Sequence, residues 1–202
     1  MDGAPAARGR RERAKQDKRD RIMAAARELF AANGISGVTT QQVADRADVA
    51  IGTLYLYAST KAELLIMVQN QKFADAIDAG LSAAAAVPGR ACLESVVALI
   101  RPVVVCVREH IENGRTYLHE LVFGDPSEPY RREGLALAMR LEDGIARVLA
   151  GDPAISARDA ATLARVVTAI IHISTTATIY LDRSDDEVAE DIREQVRAVV
   201  VR

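Results

Sequence analysis

The sequence predicts an all-α protein of about nine helices, a small helix-turn-helix domain followed by a larger helical domain. Three observations predict it. Apolar residues recur at helical spacing in every long segment, and no segment keeps the strict alternation of a half-buried strand. Thr or Ser stands three residues before Gln or Glu at Thr39 and Gln42, Thr60 and Glu63, and Ser184 and Glu187, the capping-box pattern of a helix start. Breakers then divide the chain at Asn33-Gly34, Pro88-Gly89, Asn113-Gly114, Gly124 to Pro129 and Gly151 to Pro153.

Residues 1–16 are rich in Ala, Arg and Gly and lack apolar periodicity, so they read as a mobile basic arm. From Asp17 onward, Ile22, Ala25, Ala26, Leu29 and Phe30 mark one helix face, ended by Gly34 in a left-handed cap. Thr39 opens a short helix with Val43, Ala44 and Ala47 inward. Only Asp48-Val49 separates it from a second short helix, Ala50 to Tyr57, with Leu54 and Tyr55 inward. Thr60 opens a long helix whose apolar face includes Leu64, Leu65, Val68 and Ala76.

Beyond Pro88-Gly89, the β-branched Val103, Val104, Val105 and Val107 favour a strand. Leu93, Val97, Ile100, Val104, Val107 and Ile111, three or four apart, decide for a helix, kinked at Pro102 and ended at Asn113-Gly114. Further helices are expected over Arg115 to Phe123, Tyr130 to Ala150, Ser156 to about Asp182, and from Ser184 to the end. The organisation is therefore an arm over 1–16, a helix-turn-helix domain over 17–60, and a larger helical domain over 61–202.

Composition excludes several classes. Half of the 202 residues are apolar and 27% are charged, the balance of a globular protein. The longest uncharged apolar-rich run, Val166 to Leu181, is shorter than the roughly 20 residues a spanning helix needs. No apolar run follows the basic N-terminal stretch, so neither a leader nor a membrane partner is expected, and the chain is expected in the cytoplasm. Cys92 and Cys106 on one helix would stand roughly 21 Å apart, beyond the reach of a disulfide. The net charge of −2 conceals an asymmetry: residues 1–61 carry eleven basic and seven acidic side chains, the remainder fifteen and twenty-one.

Catalysis is not expected. His119-Glu120 begins like a zinc H-E-x-x-H motif, but Phe123 stands where the second ligand belongs. Cys106 and His110 are two ligands at most, and the chain has no Gly-rich phosphate loop or nucleophile elbow. No cofactor is expected.

Two short helices joined by a tight turn, inside the basic third, have the form of a DNA-reading helix-turn-helix. Ala44 and Ala47 are small where the helices cross. Ala50, Gly52 and Thr53 are short where the second helix would approach DNA, and Thr40, Tyr57 and Lys61 are donors suited to phosphates. Lys61 at a helix start opposes the macrodipole, which favours a phosphate role over a purely local one. Tyr55 fits a core position as well as a phosphate ligand. Arg8, Arg10, Arg11 and Arg13 fit either a minor-groove arm or a solvated tail.

The residues Arg21-Ile22, Ala25-Ala26, Leu29-Phe30, Gly34, Thr39-Thr40, Val43-Ala44, Ala47, Val49, Gly52-Thr53-Leu54-Tyr55, Tyr57, Lys61 and Leu64-Leu65 resemble the DNA-binding region of the TetR family of transcriptional regulators. The resemblance covers about a quarter of the chain. It implies a homodimeric repressor on a near-palindromic double-stranded operator. It places Gln41, Ala50, Ile51, Gly52, Thr53, Leu56 and Tyr57 at or near bases, and Thr40, Tyr55, Tyr57 and Lys61 on phosphates. Three positions depart from the pattern: Asp48 for the usual turn Gly, Ala50 for a small polar residue, and Ala58 for Phe.

In the larger domain, Val166, Ile170, Ile173 and Ala177 on one helix and Val188, Ile192, Val196 and Val199 on the next form apolar faces. Pairing with a twofold copy would cover both. As in the resembled family, a small-molecule effector is expected, apolar or amphipathic, near Pro102, Tyr117, His119, Met139, His172 and Thr176. An all-α protein-interaction module, or a DNA binder without an effector, remains the alternative.

Overall fold

The computed structural model describes residues 4–200, without the side chains of residues 4–8, 10, 11 and 90. Among the described residues there are nine α-helices and no strand. The helices are α1 (Ala4–Asn33), α2 (Thr40–Arg46), α3 (Ile51–Tyr55), α4 (Lys61–Ala85), α5 (Cys92–Arg108), α6 (Ile111–Phe123), α7 (Pro129–Leu149), α8 (Ala157–Thr176) and α9 (Asp185–Val200). Short 3-10 turns stand at Pro88–Arg90 and Thr178–Tyr180. No helix among them is long and apolar enough to cross a membrane. The chain packs as two compact units, residues 1–68 and 69–202.

In the first unit, α1 is helical from Ala4, not from Asp17, so the stretch expected as an arm takes helical backbone. Ala, Arg, Lys, Glu and Gln dominate it, and these are strong helix formers even without an apolar stripe. The roles weighed for Arg8, Arg10 and Arg11 lie outside the described residues, and Arg13 is exposed. Gly34 ends α1 with φ 67°, the left-handed cap the sequence predicts. The Thr39 hydroxyl accepts from the Gln42 amide at 3.2 Å, and Gln42 Oε1 accepts the Thr39 amide at 2.8 Å, completing the capping box of α2. Ile22, Ala26, Phe30, Val43, Ala44 and Leu54 form the fully buried centre of this unit.

In the second unit, α5 lies against α6, α7, α8 and α9. Its buried face includes Val96, Leu99, Ile100, Val103, Val104 and Val107, and the helix continues through Pro102. Two boundaries differ from the sequence expectation. Asn113-Gly114 does not end a helix but lies in the first turn of α6, because Gly114 meets α5 there: a Cβ on it would stand 1.8 Å from the Val107 carbonyl oxygen. Likewise α8 stops at Thr176, and Ala177 is extended at φ −68°, ψ 144°. The hydroxyls of Thr175 and Thr176 bond back to the carbonyls of Ile171 and His172, a local competition with helix continuation.

The connection after α8 is held by Arg108. This buried guanidinium donates to Asp185 Oδ1 at 2.8 Å and to the Tyr180 and Arg183 carbonyls. Arg131 is buried likewise and donates to the Glu120 and Asp125 carbonyls, with Glu120 and Glu128 as carboxylate partners. Each cation adds charge-assisted donors to the carbonyls of a connecting segment and so fastens it.

Candidate nucleic-acid interface

The reader is built on the α2–α3 turn. Asp48 takes φ 52°, the left-handed conformation the sequence departure at this position requires. Arg21 of α1 donates to the Asp48 carboxylate at 3.2 Å and to its carbonyl at 3.3 Å; the first of these is a bond that glycine would not offer. Arg46 on α2 grips Glu28 on α1 through Nε and Nη2, at 3.1 and 2.6 Å. These two clamps fix α2 and the turn on α1. The sequence analysis missed both, because partners 27 and 18 residues apart leave no periodic signal.

The expected reader residues divide into two groups. Ala50, Gly52 and Leu56 are exposed, Leu56 to 84%, and Ile51 and Thr53 are half-buried. Nothing lies within 4 Å of a Cβ placed on Gly52, so no interior contact calls for a glycine there. The others are engaged within the chain. Gln41 Nε2 donates to Asp45 Oδ1 at 2.7 Å. The Thr40 and Tyr55 hydroxyls pair at 3.2 Å. Tyr57 donates its phenol proton to the Lys15 carbonyl of α1 at 3.0 Å. Tyr55 is 48% exposed rather than inward, since Leu54 alone on this helix fills the core.

Lys61 differs most from expectation. Its ammonium group donates to the carbonyls of Ile35 and Val38, at 2.8 and 3.0 Å, in the loop between α1 and α2. A cation at a helix start is disfavoured by the macrodipole, and these two carbonyl dipoles offset that. Two of the three ammonium protons of Lys61 are thereby engaged in fastening this loop. Lys61→Met is expected to destabilise the protein by about 1–3 kcal/mol through loss of these two charge-assisted hydrogen bonds. The salt dependence of DNA binding should keep its slope, whereas loss of a phosphate contact would reduce it by about one. Thermal melts and a salt titration of binding read the two effects separately.

In the second unit the expected dimer face is only partly outward. Val188, Ile192 and Val196 are fully buried within the chain, because α9 lays its apolar face on α5 and α8. Val199 and Ala177 are half-buried. The outward apolar side chains are instead on α8 and its neighbours: Val166 and Ile173 on α8, the latter 57% exposed, with Ile170 half-buried between them, Met139 on α7, and Val122 and Phe123 on α6.

The expected effector residues also separate. His119, His172 and Thr176 line one open groove of about 630 Å³ with Arg115, Phe123 and Leu181. The His119 and Phe123 rings lie 4.9 Å apart, and partial burial together with the nearby His119 lowers the His172 pKa. Tyr117 does not join them. It is buried, donates to Asn70 Oδ1 at 3.0 Å and packs edge-on against Phe73, and burial raises its phenol pKa. Met139 lies on a separate surface along α7, and Pro102 lies within α5. The Cys106 thiol is pushed up to about 11 by burial, consistent with a packed apolar role.

Comparison with known proteins places this geometry. Residues 22–68 match the family described as bacterial regulatory proteins, tetR family. The HTH-type transcriptional repressor KstR of Mycobacterium tuberculosis is 40% identical over 60 residues, 30% of this chain and 27% of that protein. Its namesake in Mycolicibacterium smegmatis is 38% identical over 76 residues, 38% of this chain and 37% of that protein. The matched segment thus spans well under half the length of these curated relatives. A TetR-family transcriptional regulator from Streptomyces coelicolor superposes with a TM-score of 0.64 at 23% identity, over 92% of this chain and 95% of the other. The transcriptional regulator FadR of Bacillus subtilis, solved in complex with stearoyl-CoA, gives 0.63 at 17% identity, over 90% and 97%. Residues 22–68 are thus similar to the segment that the tetR-family model describes, and the chain has the fold of solved regulators of that kind.

Proposed function

We propose that the protein is a homodimeric repressor acting in the cytoplasm, which places α3 of each copy in successive major grooves of a near-palindromic operator. The observation that carries this reading is the outer face of α3. Gly52 is bare with open space beyond it, and Leu56 just after the helix is exposed, following a turn that is clamped to α1. Such a surface suits close approach to a groove floor. The test is binding to duplexes from the DNA flanking its gene across a salt series. A defined duplex should bind well above its scrambled counterpart, and equal affinities at every salt concentration would overturn the reading.

The outward faces of α8, α7 and α6 support self-association through α8, with Val166, Ile170 and Ile173 central and the buried α9 residues behind them. Ile173→Glu is expected to yield monomers at micromolar concentration by light scattering, with operator affinity falling at least tenfold as the second half-site is lost. A dimer of unchanged strength would remove α8 from the interface.

The groove between α6 and α8 supports an amphipathic effector, since Phe123 and Leu181 are apolar while Arg115, His119, His172 and Thr176 are polar. The stearoyl-CoA bound by the Bacillus FadR is a ligand of this amphipathic kind. Release of DNA by such a ligand would complete the repressor cycle, and a melting-temperature screen of fatty acyl compounds tests it.

A further inference from the structure

The reader surface contains almost no group able to distinguish bases by paired hydrogen bonds. From Val49 to Thr60 there is no Arg, Lys, Asn, Gln, Asp or Glu. Those are the side chains that make bidentate contacts to guanine or adenine, or accept from cytosine. The charged and amide groups bordering this stretch are engaged elsewhere. Asp48 is bonded to Arg21, Lys61 to the Ile35 and Val38 carbonyls, and Gln41 to Asp45. The Tyr55 hydroxyl is paired with Thr40, and the Tyr57 hydroxyl donates to the Lys15 carbonyl. What α3 turns outward is Leu56, the bare backbone at Gly52 four residues before it, Ala50, and the partly exposed Ile51 and Thr53. In the major groove one feature suits such a surface: the C5-methyl group of thymine, which projects from the base edge and offers apolar contact.

Resting on the operator-binding reading above, we propose that this protein reads its half-site chiefly through thymine methyl groups, with Leu56 as the principal specificity-determining side chain and Thr53 beside it. Leu56 has no polar side-chain atom, so its energetic contribution comes from removing the thymine methyl and its own surface from water. Discrimination then falls on thymine against cytosine and uracil, and 5-methylcytosine serves as a partial mimic of thymine. The polar contacts hold the duplex in register without carrying this information.

The experiment uses the full-length protein. Sites are enriched from random duplexes, and the enriched site is then synthesised with every half-site thymine replaced by deoxyuridine, which deletes only the methyl groups. Binding is measured for the native protein and for Leu56→Ala, whose fold is undisturbed because the side chain is exposed. The expected result is at least a tenfold loss on uracil substitution for the native protein, and less than a threefold difference between the two duplexes for Leu56→Ala. Installing 5-methylcytosine at the same base step is expected to recover part of the loss. Native binding unchanged by uracil would overturn the proposal while leaving operator recognition intact. An equal loss in both proteins would remove Leu56 as the reader and likewise overturn it. Failure of any site to enrich would overturn the operator reading itself, and this proposal with it.

Discussion

Gly52→Ala should make the protein more stable and a poorer DNA binder. A glycine within a helix is less favourable than alanine by about 0.5–1 kcal/mol, because its backbone loses more freedom on folding. At Gly52 the added methyl would meet nothing within 4 Å, so that gain is not offset by a clash. The same methyl would stand on the outer face of α3, where the backbone is proposed to approach the groove. Steric displacement there is expected to weaken operator binding at least tenfold, the scale of a mismatched base pair at about 1–3 kcal/mol. Thermal melts and a binding titration on the same preparation measure the two effects. A more stable variant with undiminished affinity would show that α3 does not approach DNA by this face. Most variants that lose binding also lose stability, so opposite signs separate a role in recognition from one in folding.

The same substitution at Gly114 should do the reverse. A Cβ there would lie 1.8 Å from the Val107 carbonyl oxygen and 2.8 Å from its carbon. Both are backbone atoms of α5, which cannot rotate away as a side-chain tip would. Helix α6 must shift from α5, opening gaps around the buried Asn113, Tyr117 and Leu121. The expected cost is about 2–4 kcal/mol, typical of overpacking with loss of adjacent contacts. For a chain of this length that corresponds to a fall in melting temperature of about 5–15 °C. A variant melting within a degree or two of the parent would show that the two helices can separate freely. Gly80 poses a similar constraint from α4, where a Cβ would stand 2.1 Å from the Leu99 carbonyl oxygen. Glycines thus set how closely both α4 and α6 approach α5.

Gly52 stands in open space and Gly114 against a neighbouring backbone, a difference of surroundings that the sequence does not print. At Asn113-Gly114 the dipeptide has the composition of a helix stop, and the local rule misleads because a neighbouring helix, not a turn, demands the glycine. The capping boxes at Thr39, Thr60 and Ser184 behave otherwise. Their hydrogen bonds join residues three apart, so the pattern is complete within the sequence: the structure closes both bonds of the box at Thr39 and Ser184 and places the Glu63 amide on the Thr60 hydroxyl. Asp48 is legible for the same reason, as a left-handed turn residue is a local matter. The all-α class, the order of helices and the helix-turn-helix were therefore determined by the sequence itself, through periodicity and local capping chemistry.

Tertiary structure decided which polar and apolar groups remain available. Lys61 is a cation in the right segment for a phosphate, yet carbonyls from residues 23 and 26 positions away already hold it. Tyr117 has the amphipathic character of a pocket residue, but Asn70 takes its proton in the core. Val188, Ile192 and Val196 show the same stripe as an interface helix, and α5 and α8 cover it within the chain. An apolar stripe states only that a face must be buried, and a donor only that it must be paired. Which partner satisfies each is a long-range competition, settled when the chain is folded, and it leaves Leu56 and Ile173 outward while enclosing their neighbours.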